Sequence, residues 1–167
     1  MIPIAILCGG HGTRAQQPIN KCFVPVGDKP FILHIMEWWE MQGYTTFVLC
    51  RGTGGTLTAL RDAQDQLGER FLLNYGDTLL RINAKNFIER WDLSRAPSIS
   101  AIFDKIDAGV NGFYTHTLDM LDEDVTDLKV LQAELKARGM VCRYDAPVRY
   151  DEVGSPPALA ATRAALS

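Results

Sequence analysis

The chain has 167 residues, enough for one domain with a substantial core. Apolar residues make up 47% and charged residues 22%, as in ordinary globular proteins, and a net charge of −3 without a long basic block argues against nucleic acid as a partner. No apolar run is long enough to span a membrane, nothing at the N-terminus looks like a signal peptide, and the four cysteines lack zinc-ligand or C-x-x-C spacing, so a reducing cytoplasm is the expected setting.

In chain order, Ile2 to Cys8 reads as a buried strand of a parallel sheet. It breaks into Gly9-Gly10-His11-Gly12-Thr13-Arg14, a loop whose glycines allow close backbone approach to a ligand and whose N–H groups can cradle phosphate. Pro30 sits near the start of a helix that Gly43 ends. Trp38 and Trp39 are adjacent on it, so one of them is a candidate for a subunit contact in a homo-oligomer. Thr45 to Cys50 is a β-branched strand, and Cys8 and Cys50, ending two strands, are expected to be buried thiols. The loop Gly52-Thr53-Gly54-Gly55-Thr56 leads into a helix from Thr56 to Leu67 that Thr56 is expected to cap.

Phe71 to Tyr75 is the next strand, followed by Gly76-Asp77. A helix over Ala84–Trp91, strands over Ser98–Phe103 and Val110–His116, a helix over Val125–Arg138, a strand over Met140–Tyr144 and a helix over Pro156–Leu166 complete the pattern. Strands and helices alternate almost throughout. The expected fold is therefore α/β: one Rossmann-like domain over 1–167, a three-layer sandwich around a mostly parallel sheet.

The first loop is neither a dinucleotide fingerprint, since Ala15 stands where the third glycine should be, nor a P-loop, which needs Gly-Lys-Ser/Thr. Arg14, Lys21 and Lys29 concentrate positive charge within the first thirty residues, as an acidic protein that binds a polyanion requires. Asp77 should emerge at the carboxyl edge of the sheet, where a carboxylate suits Mg²⁺.

Taken together, G-G-x-G-T-R at Gly9–Arg14, Lys21, the run Pro25-Val26-Gly27-Asp28-Lys29-Pro30 and Gly76-Asp77 resemble the sugar-phosphate nucleotidyltransferases, which have a nucleotidyltransferase or GT-A-like fold. The resemblance covers nearly the whole chain in order. It implies Mg²⁺-dependent transfer of a nucleotidyl group from an NTP to a phosphorylated acceptor, a sugar 1-phosphate, with release of pyrophosphate. It further implies nucleotide contacts from Leu7, Gly9, Gly10, Gly12, Thr13, Arg14, Lys21, Gly52, Gly54, Gly55 and Thr56, with Arg14, Lys21 and Asp77 catalytic. Lys105, Asn111 and Gly112 would lie on the acceptor side. Asp77 would hold the metal with a second carboxylate from Tyr150-Asp151-Glu152-Val153-Gly154-Ser155-Pro156, either Glu152 or Asp151.

The chain departs from the family at several points. Cys22 replaces the proline that usually follows the lysine, the loop from Arg14 to Lys21 is short, and segments after Cys50 and after Lys105 are trimmed. These departures leave open a non-catalytic nucleotide-binding or regulatory module, or cytidylyl transfer to a small acceptor such as phosphocholine.

Overall fold

A computed structural model describes residues 2–9 and 20–166. Gly10, Gly12, Thr13 and Arg14 therefore lie outside the described residues. In chain order the strands are β1 (Ile4–Leu7), β2 (Pro25–Val26), β3 (Lys29–Pro30), β4 (Phe47–Cys50), β5 (Arg70–Tyr75), β6 (Thr78–Leu79), β7 (Ser98–Phe103), β8 (Ile106–Tyr114), β9 (Val141–Asp145) and β10 (Asp151–Glu152). The α-helices are α1 (Phe31–Glu40), α2 (Thr56–Asp62), α3 (Gln64–Leu67), α4 (Ala84–Ser94), α5 (Leu128–Ala137) and α6 (Pro156–Leu166).

Strand period explains the layering. Along β1, Ile4 and Ile6 enter one apolar cluster and Ala5 enters the other, because successive side chains point to opposite faces. The first cluster joins the sheet to α1, α4 and α6 through Phe31, Ile35, Trp39, Phe87, Trp91 and Leu159. The second joins it to α2, α3 and α5 through Leu57, Leu60, Leu67, Leu128, Leu131 and Leu135. The result is the expected three-layer α/β sandwich.

The six-stranded sheet has the order β4-β1-β5-β8-β7-β9. It is parallel except at β8, which runs antiparallel to both β5 and β7. The reversal comes from a tight hairpin: Phe103 pairs with Ile106 across Asp104-Lys105, and both turn residues have positive φ (48° and 67°). Two successive left-handed residues match the twist of a hairpin. This turn starts β8 at Ile106, four residues earlier than the apolar pattern alone indicates.

Two further differences from the sequence reading have local causes. The helix expected over Thr56–Leu67 is divided at Ala63, whose amide bonds Leu60 three residues back rather than four. The tightened turn keeps Leu57, Leu60, Ala63 and Leu67 all buried. Thr56 does not cap its own helix. Its hydroxyl accepts from the Leu128 amide at 2.9 Å and so caps α5 instead, together with Asp127, whose carboxylate accepts from the Lys129 amide. α5 accordingly begins at Leu128.

The segment leading into α5 is gathered around one side chain. The Arg61 guanidinium donates to the carbonyls of Leu118, Leu121, Asp122, Glu123 and Val125. Five donors in a planar fork suit a loop whose carbonyls turn inward.

All four cysteines are free and buried. Trp39 is fully buried and donates to Asn74 Oδ1 at 3.0 Å, while Trp38 is half-buried. No helix among the described residues is long and apolar enough to cross a membrane.

Candidate nucleotidyl-transfer site

The carboxyl ends of β1 and β5, with the start of the helix that follows β4 and the start of α5, meet at a cleft of about 240 Å³. Their backbones approach too closely for side chains at two points. A Cβ on Gly9 would lie 2.5 Å from the Gly52 carbonyl oxygen, and one on Gly76 would lie 2.4 Å from the Leu7 carbonyl oxygen. These glycines are required by strand-end packing, whatever the cleft holds.

Lys21 is brought to this edge by its neighbour Asn20. The Asn20 amide donates to the Cys8 carbonyl at the end of β1, and its Oδ1 accepts from the Cys22 amide at 3.0 Å, capping the short 3₁₀ turn Lys21–Phe23. Lys21 Nζ then lies 3.4 Å from Asp77 Oδ2, with both side chains partly exposed. Asp77 is itself oriented by the Thr78 hydroxyl, which donates to Oδ1 at 3.2 Å.

Glu152 arrives from the far end of the chain. β10 pairs antiparallel with β6, which sets Glu152 opposite Thr78 and Asp151 opposite Leu79. The buried Thr162 hydroxyl of α6 donates to the Glu152 carbonyl at 2.7 Å and fastens the strand. A Cβ on Gly154 would lie 3.6 Å from Asp77 Oδ2, 3.6 Å from Lys21 Nζ and 3.8 Å from Glu152 Oε2. Three charged groups thus converge on one point beside a residue that has no side chain to fill it.

Asp151 goes elsewhere. Adjacent strand residues face opposite ways, and its carboxylate pairs with Arg81 Nη1. Of the two candidates for a second metal carboxylate, only Glu152 joins Asp77. Among the described residues no group of three or more His, Cys, Asp or Glu side chains is arranged to hold a metal. Two partly exposed carboxylates nevertheless fit Mg²⁺, which takes one or two carboxylates and fills its other positions with water and substrate phosphate.

The remaining predicted residues are more dispersed. Leu7, Gly9, Lys21, Thr56 and Asp77 line the cleft. Gly52 packs on Ala59, and Gly55, at φ 122°, faces the Thr126 carbonyl so closely that a Cβ would lie 2.5 Å from it. Gly54 accepts from the Thr58 hydroxyl. Lys105 stands at the exposed tip of the β7–β8 hairpin, away from the cleft lining. Asn111 lies across from Leu73 in the layer of α5, whereas Gly112 faces the other layer beneath Trp91, where a Cβ would lie 2.7 Å from the indole. Lys29 is committed to Glu37 of α1, so the early positive charge reaches the cleft through Lys21 rather than Lys29.

Tyr75, Asn20, Asp127, Leu128 and Lys129 also line the cleft and were not singled out from sequence. Only Asp127 had a readable signal, as a cap residue before an apolar helical pattern. The thiols below the cleft are perturbed. Burial pushes Cys50 up to about 12. Cys8 is lowered by its hydrogen bond with Cys22, and Cys22 is raised by the same bond and by burial.

This topology and cleft define a nucleotidyltransferase-like α/β fold. HddC from Yersinia pseudotuberculosis, solved in complex with GMP-PN, superposes with a TM-score of 0.83 at 17% identity over 100% of both chains. A putative glucose-1-phosphate thymidylyltransferase from Bacillus anthracis, in complex with a sucrose, superposes at 0.84 with 15% identity over 98% of this chain and 94% of that one.

In sequence the chain is similar to sugar-phosphate nucleotidyltransferases. A probable glucose-1-phosphate cytidylyltransferase of Bacillus subtilis is 28% identical over 152 residues, covering 60% of each chain. The glucose-1-phosphate cytidylyltransferase of Salmonella typhimurium is 38% identical over 53 residues, covering 30% of this chain and 21% of that protein. The match to the Bacillus protein thus spans about 60% of that relative's length. No protein-family model matches the chain.

Proposed function

We propose that this protein transfers a nucleotidyl group from an NTP to a sugar 1-phosphate in a Mg²⁺-dependent reaction. An oxygen of the acceptor phosphate attacks the α-phosphorus, the bond from the α-phosphorus to the bridging oxygen breaks, and pyrophosphate leaves with that oxygen. Such a reaction needs positioning and charge neutralisation rather than a covalent nucleophile. The observation that carries the reading is the convergence of Lys21, Asp77 and Glu152 on the space beside Gly154.

In this reading Lys21 stabilises the negative charge that grows on the α-phosphate in the transition state. Asp77 and Glu152 hold Mg²⁺, which when bound neutralises phosphate charge. The Gly9–Arg14 loop, through its backbone N–H groups and the Arg14 guanidinium, holds the departing phosphates. Thr56 and the Gly52–Gly55 turn border the nucleotide and Asn111 belongs to the acceptor side, whereas Lys105 at the hairpin tip and Gly112 beneath Trp91 lie away from the cleft lining.

The test is pyrophosphate release with Mg²⁺ from each NTP against a panel of sugar 1-phosphates and phosphocholine. Release with one pair, lost in Asp77→Ala and on chelation with EDTA, is expected. NTP binding without release from any acceptor overturns the transfer reading in favour of a binding module, and release with phosphocholine alone overturns the sugar acceptor.

A further inference from the structure

Beside the reactive cluster lies a polar assembly of which the transfer reading uses only Asn111. Tyr75 ends β5 two residues before Asp77 and lines the cleft. Its hydroxyl lies 3.1 Å from Asp107 Oδ2 and 3.3 Å from Gln132 Oε1. Gln132 stands on α5, one turn beyond Leu128 and Lys129, which also line the cleft. Its Nε2 donates to Asp107 Oδ2 at 2.9 Å. Asn111 Nδ2 donates to both Asp107 oxygens at 3.2 and 3.3 Å, and the Gly109 amide donates to Oδ1 at 2.8 Å.

Among the described residues this network has more acceptors than protons to give them. Asp107 is fully supplied with donors. Tyr75 has a single O–H for two acceptors, and the nearer, charged carboxylate takes it. Gln132 Oε1 is then without a donor among the described residues. Asn111 Oδ1 is completely buried and has no donor among the described residues. Turning either amide over does not help, because it would place a carbonyl oxygen against the Asp107 carboxylate. An acceptor enclosed without a donor, as Asn111 Oδ1 is, is rare in folded proteins, whereas Gln132 Oε1 is only half-buried, beside a tyrosine that lines the cleft, and is open to a hydroxyl or an ordered water.

We propose that this network recognises a ring hydroxyl of the substrate. Gln132 Oε1 accepts the hydroxyl proton, the Tyr75 ring forms the floor beneath the sugar, and Asp107 is the positioning residue that holds both in place. The negative charge of Asp107 excludes an anionic substituent at that point and favours a neutral hydroxyl. The inference rests on the transfer reading. A ring hydroxyl occurs both on the ribose of an NTP and on an acceptor sugar, and steady-state kinetics separate the two.

The experiment compares the wild-type protein with Gln132→Met, a substitution of similar shape without the acceptor oxygen. The KM values for NTP and for acceptor are measured separately, alongside 2′- and 3′-deoxy NTPs and deoxy acceptors. One KM should rise about five- to tenfold, as expected for loss of one hydrogen bond, with kcat changed less than about threefold. The deoxy analogue lacking the recognised hydroxyl should be blind to the substitution, because the pair of changes is coupled. A rise in the NTP KM assigns the ribose, and a rise in the acceptor KM assigns the acceptor.

Unchanged KM values for both substrates, or a fall in kcat alone, overturn the proposal. If Gln132→Met does not fold, the deoxy series on the wild-type protein reads the same contact, and equal KM values across the whole series overturn it. If the wild-type protein releases no pyrophosphate, calorimetric titration with NTP and its deoxy analogues decides. Weaker binding of one deoxy analogue sustains hydroxyl recognition while the transfer reading fails, and equal binding ends both.

Discussion

Two carboxylates near the same sheet edge, Asp77 in the turn after β5 and Asp107 on the neighbouring strand β8, sit in opposite circumstances. Asp107 has donors on every side: an amide, two side-chain amides and a phenol. Among the described residues Asp77 has one hydroxyl and a lysine at 3.4 Å, is partly exposed, and shares with Glu152 the space beside Gly154. A saturated carboxylate holds structure together, whereas an under-supplied pair of carboxylates next to a cation holds charge in reserve for something that arrives.

The contrast can be broken first at Lys21. Lys21→Ala should lower turnover by about a thousandfold, since it removes charge aimed at the reacting phosphate, while the melting temperature moves only a few degrees. Steady-state kinetics and thermal unfolding on the same preparation check both halves. At the other pole, Asp107→Ala should cost about 3 kcal/mol of stability by leaving the Tyr75, Gln132, Asn111 and Gly109 donors without their acceptor, as measured by urea unfolding. An Asp107→Ala protein as stable as wild type would erase the distinction between the two carboxylates.

Glu152→Gln keeps the shape of the side chain and removes its charge. Turnover should fall about tenfold to a hundredfold, with the loss partly recovered at higher Mg²⁺ concentration. A titration of activity against Mg²⁺ reads this directly.

A smaller effect comes from the thiols beneath the cleft. The folded-state pKa of Cys50 is raised to about 12 by burial, above the ordinary thiol value of 9.0, so its contribution is intact below about pH 9 and is lost as pH rises toward 12. Unfolding free energy should decline by up to about 1.4 kcal/mol per pH unit from this thiol across that window. Cys50→Ala should flatten the slope in denaturant unfolding at pH 8 to 10.5.

The smallest effect is expected at Asp151→Asn. It removes one partly exposed ion pair with Arg81, for less than about 1 kcal/mol, and should leave turnover unchanged. Loss of activity there, equal to that of Glu152→Gln, would merge the two neighbours that β10 separates.

Much of this molecule was legible in its residues. The strand–loop–helix alternation, the helix over Pro156–Leu166, the strand over Ser98–Phe103 and the three-layer architecture follow from apolar period, glycine stops and cap residues, all of which act within a few positions. Gly9, Lys21 and Gly76-Asp77, all picked out by short local strings, line the cleft edge.

What required the tertiary structure was every choice made by residues distant in the chain. Asp151 and Glu152 are equivalent on paper, and only the pairing of β10 with β6 turns one toward Asp77 and the other toward Arg81. Thr56 caps a helix 72 residues away rather than its own because two helix starts meet. Tyr75, Asp107 and Gln132 carry no motif, since the antiparallel return of β8 and the docking of α5 create their network. Local propensity and period are properties of neighbouring residues, so sequence determines them, whereas pairing and polar satisfaction depend on which distant groups the completed sheet brings together.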